Sequence, residues 1–209
     1  RLGSPLDASL TVFDSAGKEL DTNDDHEDLA AGLTTHHADS RLVVKLPDSG
    51  ECFVRVTDTQ NQGSQHHAYR LRVTPARPAF QLRVTPSTVN AQPGGSTRLT
   101  IHALREDGFA EEIALKLKDS PTGFELKGAT VPAGKDVAEV TLSVPSAAAE
   151  QPAVLHVEGT AIVDDESGEK LTTTAVPAED MMQAFIYRHL VPVDELLVDV
   201  RTVPVKPAK

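Results

Sequence analysis

Apolar and polar residues alternate along most of the chain, in short runs that Gly, Pro and Asp separate. A period of two indicates strands that bury one face. The runs in the first part are SLTVFD, RLVVKLP, CFVRVTD and AYRLRVTP. Those in the second part are FQLRVTP, STRLTIHAL, EIALKLK, GFELKGATVP, DVAEVTLSVP, AVLHVEGTAIV, KLTTTAVP and, last, ELLVDVRTVPV. The pattern predicts an all-β fold made of two tandem β-sandwich domains.

The boundary between the two strand series is predicted at PARPAF, where two prolines mark a linker. Residues 1–75 supply only four strands, so the first sandwich is predicted to be incomplete at its N-terminal side. Residues 76–79 form the predicted linker. Residues 80–203 carry strands at spacings of about 10–20 residues, which is typical of an immunoglobulin-like sandwich. Residues 204–209 are a predicted tail.

One segment breaks the period of two. AEDMMQAFIYRHL has apolar residues near helical spacing, which predicts one or two helical turns near residues 180–190 that end before Pro192. We expect its Met, Phe and Tyr side chains to pack against their own domain.

The charge and residue composition of the chain argue against several classes of function. The formal net charge is −11, and without a Lys/Arg cluster the chain is not expected to bind nucleic acid or an anionic membrane surface. No apolar run reaches the roughly 18 residues that a membrane span needs. The single cysteine, Cys52, cannot form an internal disulfide and is expected to be a buried thiol in a strand. The chain begins at Arg1 without a signal-like segment, which predicts a fragment or a processed piece.

The acidic segment ELDTNDDHED places six acidic side chains in ten positions. Its start matches the first ligands of an EF-hand loop, but His26 occupies the glycine position and Gly32 the bidentate glutamate position, so an EF-hand is rejected. Two interpretations remain open: a calcium site of another kind, or a solvated turn whose side chains bond their own backbone, which we favour. The candidate calcium ligands are Asp14, Asp21, Asn23, Asp24 and Asp25. Calcium is the one cofactor that the sequence suggests.

No catalytic residue is assigned. Two adjacent histidine pairs, His36-His37 and His66-His67, lie in predicted loops, and neighbours in extended chain point to opposite faces, so we expect surface histidines and not a zinc site. His102 and His156 are expected on sheet faces. The chain contains neither a G-x-S-x-G elbow nor a visible Ser, His and acid arrangement.

Five short motifs in the first 75 residues resemble the bacterial pre-peptidase C-terminal domain, a family found in secreted proteases and large extracellular proteins. They are SPLD, D-x-x-G-K, NDD, DSRL and SGE-x-x-VRV. The second part is similar to the immunoglobulin-like domains that follow such modules, with PGG before an early strand and P-A-G before a late one. The resemblance implies an extracellular or cell-surface bacterial protein. Some members bind calcium, largely through an acidic segment at their N-terminal edge that has no match here.

Three departures from that family pattern bear on the first domain. The strands that open the family's sandwich have no counterpart, Cys52 replaces an aromatic residue, and the stretch from His26 to Ala38 is longer and richer in His. We therefore expect another segment, or another copy of the chain through strand exchange, to complete the first sandwich.

The leading hypothesis is a non-catalytic accessory or spacer module whose partners are other domains of its parent protein. The first alternative is a module that binds polysaccharide or protein, with or without calcium, although the absence of Trp makes a poor carbohydrate platform. The second alternative is a hydrolase with an unfamiliar site.

Overall fold

The computed structural model of the chain describes residues 4–27, 36–37, 39–48, 50–149, 151–164, 167–183 and 187–202. These residues form strands and no helix, which confirms the all-β prediction. No helix long and apolar enough to cross a membrane occurs among them. The chain divides between Ala76 and Arg77 into two compact units, each described below by itself.

Unit 1 is built on a three-stranded antiparallel sheet. Its strands are β1 (Ala8–Phe13), β2 (Glu19–Asn23), β3 (His26–Glu27), β4 (His36–His37) and β5 (Phe53–Asp58). The sheet has the order β2-β1-β5, and β3 pairs separately with β4. Leu10 lies opposite Val56 and Val12 opposite Val54, so the β1–β5 pair has one apolar face, which β2 extends with Asn23 and Asp21.

Unit 1 has almost no buried core. Val12 is its one buried hydrophobic side chain among the described residues. Phe53 is 54% exposed, Val54 is 42% exposed and Tyr69 is 64% exposed. Within the described residues β2 and β5 each have a single strand neighbour, β1, so both outer edges of the sheet are unpaired.

Two predicted strands of unit 1 are wrong. Residues 41–47 and 68–75 alternate as strands should, yet the structure forms no strand in either segment. A strand requires a neighbour to accept its backbone hydrogen bonds, and the described part of unit 1 supplies none to these segments. Several of their apolar side chains are exposed, with Val43 at 50% and Val73 at 77%, whereas Leu42 and Val44 are half-buried.

The described residues of unit 2 form twelve strands. They are β6 (Ala79–Thr85), β7 (Thr88–Ala91), β8 (Ser96–Glu106), β9 (Ile113–Lys118), β10 (Glu125–Lys127), β11 (Thr130–Val131), β12 (Val137–Ser143), β13 (Ala153–Asp164), β14 (Glu169–Thr174), β15 (Val176–Gln183), β16 (Tyr187–Pro192) and β17 (Leu196–Val200). One sheet has the order β10-β12-β8-β6-β15-β16, and the other has β11-β9-β13-β17-β7 with β14 beside β13.

The two sheets of unit 2 enclose one apolar core, as a β-sandwich does. Alternate residues of β6 and β8, including Leu82 and Ile101, are buried against residues of β13 and β17 such as Leu155 and Val198. Gly159 lies in this core: a Cβ there would be 2.4 Å from Leu82 Cδ1. The absence of a side chain at Gly159 is what allows the two sheets to approach at this point.

A single arginine ties the loops at one end of this sandwich. The guanidinium of Arg105 donates to the carbonyl oxygens of Glu111 at 2.8 Å, Pro132 at 3.1 Å and Lys135 at 2.9 Å. It also lies 5.1 Å from the centre of the Phe109 ring. The Arg105 side chain is only 11% exposed, although its carbonyl partners lie at the surface.

The predicted helical turns near residues 180–190 are wrong. β15 and β16 form an antiparallel hairpin there, with Met181 opposite His189, and residues 184–186 lie outside the described part of the chain. Met181 is 50% exposed and Met182 is 65% exposed, so the expected packing of these two side chains is also wrong. The hairpin belongs to a sheet because Val176 and Pro177 pair in parallel with β6.

Boundaries differ elsewhere in unit 2. GFELKGATVP is divided into β10 and β11, and β7, which the sequence did not predict, pairs in parallel with β17. Between β14 and β15 the chain passes from one sheet to the other at Ala175, which is buried and donates its N–H to the Val157 carbonyl at 2.7 Å. The predicted tail starting at residue 204 lies outside the described residues.

Candidate functional site

The candidate calcium ligands lie on and around the β1–β2 hairpin. Asp14 precedes the turn, Asp21 and Asn23 belong to β2, and Asp24 and Asp25 follow it. The first half of the acidic segment is therefore a strand and not a turn. Consecutive side chains of a strand alternate between the two faces of the sheet. Asp21 is opposite Val12, so it points to the other face of the sheet from Thr22, which is opposite Thr11.

Several oxygens of this set accept hydrogen bonds from the protein. Asp14 Oδ1 accepts from the backbone N–H groups of Ala16 and Lys18, each at 2.9 Å. Asp21 Oδ1 accepts from the N–H of Thr22 at 2.9 Å. The bond from Ala16 to Asp14 is that of an Asx turn, and the bond from Thr22 to Asp21 is a local side-chain-to-backbone bond between neighbours.

Asn23 fixes two segments at once. Its Oδ1 accepts the N–H of Arg41 at 3.0 Å, and its Nδ2 donates to the Asp25 carbonyl at 2.7 Å. The nearby Ser40 hydroxyl donates to the Ala8 carbonyl at 2.6 Å. The NDD and DSRL motifs thus meet at this point, and the amide of Asn23 joins them.

Within the described residues no three His, Cys, Asp or Glu side chains are grouped as a metal ion would require. Calcium also accepts amide and backbone oxygens, so the five candidate ligands stay a prediction.

A second polar centre of unit 1 is Asp58, at the end of β5. Its Oδ1 accepts the N–H groups of Gln60 and Gln62 and its Oδ2 that of Asp7, all at 3.0 Å. These bonds, that of Gln62 foremost, hold the pKa of the Asp58 carboxyl below its ordinary value of 3.8. Asp7 of the SPLD motif is held in return, because its Oδ2 accepts the Thr59 hydroxyl at 2.6 Å. Sequence reasoning did not single out Asp58.

Beside Asp58 an open cavity of about 340 Å³ is lined by Leu6, Val56, His67 and Tyr69 among others. His67 is oriented by the Ser64 hydroxyl, 2.9 Å from its Nδ1. For His36 and His37 the structure describes only the backbone, which pairs with β3. Cys52 is free and half-buried, not fully buried as expected.

Unit 2 carries a polar group on the outer face of the β6–β8 pair. The Thr85 Oγ1 lies 3.2 Å from His102 Nε2. Burial lowers the pKa of His102, and the nearby charge of Asp180 opposes that shift. Ser87 donates a short hydrogen bond from its hydroxyl to Glu179, which also accepts the Ser87 N–H. The Thr85 side chain is buried, so its hydroxyl, although it lies beside a histidine, is not accessible to a substrate.

His189 on β16 is 3% exposed, and neither ring nitrogen has a hydrogen-bond partner among the residues described. The sequence placed His189 in a helical stripe and gave no sign of this burial. His156, in contrast, is exposed on β13, which agrees with a place on a sheet face.

No family model matches the sequence, and no curated protein matches it either.

Proposed function

We propose that this chain is a non-catalytic accessory or spacer module of a secreted or cell-surface bacterial protein. The observation that carries the proposal is the use made of the polar motif residues in unit 1. Asp7, Asp14 and Asn23 each direct side-chain oxygens to hydroxyl or backbone N–H groups of the chain itself. Because these polar side chains hold loops of the same chain in place, they support an architectural role.

In this proposal unit 1 is a partial pre-peptidase C-terminal-like sandwich. The D-x-x-G-K motif supports it through the turn it makes: the backbone carbonyl of Asp14 accepts the N–H of Gly17 at 3.0 Å, and Gly17 has φ +78°. SPLD and NDD support it because each bonds to a segment far away in sequence, at Asp58 and at Arg41. The motifs thus have a physical reason to occur together.

Unit 2 is proposed to be immunoglobulin-like. Support comes from the strand order, in which β6 and β7 lie in different sheets and β7 runs parallel to β17. In this interpretation the chain between β13 and β17 is an insertion that adds β14 to one sheet and the β15–β16 hairpin to the other. Such a sandwich, with a continuous core, suits a rigid spacer between other domains of the same protein.

A domain replacement in the parent protein tests this role. Residues 1–209 would be exchanged for an unrelated pair of β-sandwich domains of similar length. A spacer predicts that surface display and the activity of the neighbouring regions are retained. Retained display with lost ligand capture would instead support a binding module, and turnover by this chain that a single Ser or His substitution abolishes would support a hydrolase.

The second candidate function is binding of protein or polysaccharide, with calcium as the proposed cofactor. The exposed rings of Phe53 and Tyr69 favour it, because exposed aromatic side chains are typical of binding surfaces. Calcium titration with a melting-temperature readout tests the metal, since a ligand of the folded state raises the melting temperature. Asp24→Asn with Asp25→Asn should abolish that rise, whereas Asp194→Asn, in unit 2, should preserve it.

A further inference from the structure

We propose that the open cavity beside Asp58 in unit 1 binds one sugar residue of an uncharged polysaccharide. This inference rests on the second candidate function, binding, and names its site and its ligand class; the spacer role does not depend on it. The volume of the cavity is about 340 Å³. Pockets for small ligands have volumes of about 300–1,000 Å³, so this cavity has the size of a small-ligand site.

One part of the cavity wall is apolar and aromatic. Leu6 and Val56 are half-buried there, and Tyr69, which also lines the cavity, is 64% exposed. A sugar ring has an apolar face of C–H groups that packs on an aromatic ring, and tyrosine adds a hydroxyl that bonds to a polar neighbour. Tyr69 therefore offers a stacking surface in a chain that has no Trp.

Neutral polar side chains make up another part of the wall. Asn61 and Gln62 carry carboxamides, which both donate and accept hydrogen bonds. Gln62 Nε2 donates to Gln60 Oε1 at 3.2 Å, which leaves its second N–H and its Oε1 for a ligand. The Ser64 hydroxyl lies 2.9 Å from His67 Nδ1, so Nε2 is the ring nitrogen left for a ligand. Sugar hydroxyl groups also donate and accept, so they match these side chains.

The charges around the cavity favour an uncharged ligand. Among the eight described residues that line it, Asp58 is the only carboxylic acid, and neither Lys nor Arg occurs. Three backbone N–H groups already donate to the Asp58 carboxylate. An anionic sugar would meet this carboxylate without a compensating cation, in a chain of formal net charge −11.

The loop at residues 59–67 offers side chains and not main-chain groups to a ligand. The N–H groups of Asn61 and His67 donate to the carbonyl groups of Asp58 and Ser64, at 3.0 and 3.1 Å. An extended peptide is recognised largely through main-chain hydrogen bonds along a free strand edge. The loop therefore favours a ligand that carries hydroxyl groups over a peptide, which would add along the free edge of β5 instead.

This loop is held in place without a ligand. Asp58 Oδ1 accepts the N–H groups of Gln60 and Gln62, each at 3.0 Å. The Ser4 hydroxyl donates to the His66 carbonyl at 3.3 Å, and the Ser64 hydroxyl accepts the His66 N–H at 3.1 Å. A site whose groups are ordered before binding loses less conformational entropy when the ligand arrives.

NMR titration of the full chain with uncharged hexasaccharides of glucose, mannose, xylose and N-acetylglucosamine tests the ligand class. We expect at least one of them to bind with a Kd of about 1 mM and to shift the amide signals of residues 59–69. A hexasaccharide of galacturonic acid should bind at least about tenfold more weakly. Absence of binding by every uncharged sugar at about 10 mM, equal binding of the acidic sugar, or tighter binding of the peptide (Gly-Ser)3 would overturn the proposal.

Substitutions of two exposed aromatic side chains test the position of the site. Tyr69→Ala should weaken binding at least about tenfold because it removes the stacking surface, whereas Tyr69→Phe keeps the ring and should retain most of the affinity. Phe53→Ala is the matched control, because Phe53 is 54% exposed in the same unit but is not among the described residues that line the cavity. The control should leave the Kd unchanged, and equal weakening by both alanine variants would overturn the cavity as the site.

The domain replacement in the parent protein separates this inference from the binding function on which it rests. If no sugar binds but the replacement abolishes ligand capture, the sugar assignment is wrong and the binding function stands. If no sugar binds and the replacement retains ligand capture, both are wrong.

Discussion

The two units are made from similar alternating sequences but use them differently. In unit 2 the alternation places Leu99, Ile101 and their neighbours in a core that is closed on both sides by sheets. In unit 1 the same kind of alternation leaves Val54 and Val73 in contact with solvent. Alternation therefore specifies a strand's faces, whereas a partner decides whether the strand forms and what its apolar face is buried against.

The largest expected effect on stability comes from a leucine-to-alanine substitution made once in each unit. Leu99→Ala should lower the free energy of unfolding by about 2–5 kcal/mol, because Leu99 is 0% exposed and its truncation leaves a cavity. Leu46→Ala should change it by less than about 0.5 kcal/mol, because Leu46 is 53% exposed. Urea unfolding, followed by hydrogen exchange with mass spectrometry of peptides from each unit, measures both.

Equal losses at the two positions would mean that unit 1 also has a closed core in solution. A loss at Leu46 alone that grows with protein concentration would instead locate that core in an association of chains.

A glycine-to-alanine pair tests how closely the sandwich of unit 2 is packed. Gly159→Ala should destabilise by about 1–3 kcal/mol, because the new methyl overlaps Leu82 Cδ1 and lies 2.9 Å from Ile113 Cγ2. Gly63→Ala in unit 1 has no atom within 4 Å of the new Cβ and no positive φ. It should be neutral or slightly stabilising. Thermal unfolding of the two variants beside the wild type supplies the comparison.

The loop end of unit 2 should depend on the shape of one side chain. Arg105→Met retains much of the stem but removes the donors to three carbonyl groups, so we expect a loss of about 1–3 kcal/mol. Arg105→Lys keeps the charge but not the planar fork, so it should recover only part of that loss. Arg98→Met, at a side chain that is 80% exposed, is the control and should have little effect. Full recovery by lysine would show that charge, not geometry, matters.

The sequence was sufficient where strands bury one face within the same unit. β6, β8, β9, β12, β13 and β17 lie where their alternation predicted them, because a local period and a nearby partner agree. The strand prediction failed at residues 41–47 and 68–75, where apolar and polar residues alternate but the described residues supply no neighbouring strand. It also failed at the β15–β16 hairpin, because pairing with β6 outweighs the near-helical spacing of a few apolar residues.

The polar contacts were less predictable than the strands. The short-range bonds of Asp14 follow from D-x-x-G-K, since the acceptor and its donors are two and four residues apart. The bonds of Asp58 to Asp7 and of Arg105 to Lys135 join residues 51 and 30 positions apart. Their geometry exists only after the strands have paired, so no local pattern could indicate them.

The smallest expected effect compares the two carboxylates whose pKa is lowered, one in each unit. Asp58 is stabilised mainly by backbone N–H donors, whereas Glu158 is stabilised by the ammonium groups of Lys118 at 2.9 Å and Lys116 at 3.1 Å. In both cases the unfolded chain binds protons at a higher pH than the folded chain, so the stabilisation is present above the ordinary pKa and is lost as pH falls through the lowered one.

Salt screens the two half-exposed lysines but not the backbone amides. NMR titration of the carboxyl carbons in low salt and in about 1 M NaCl should therefore move the pKa of Glu158 back toward its ordinary value of 4.5 and leave that of Asp58 in place. Glu158→Gln should flatten the acid-side loss of stability in unit 2, while a salt response at Asp58 as large as at Glu158 would mean that neighbouring charge, not the amide cradle, holds the carboxylate of unit 1.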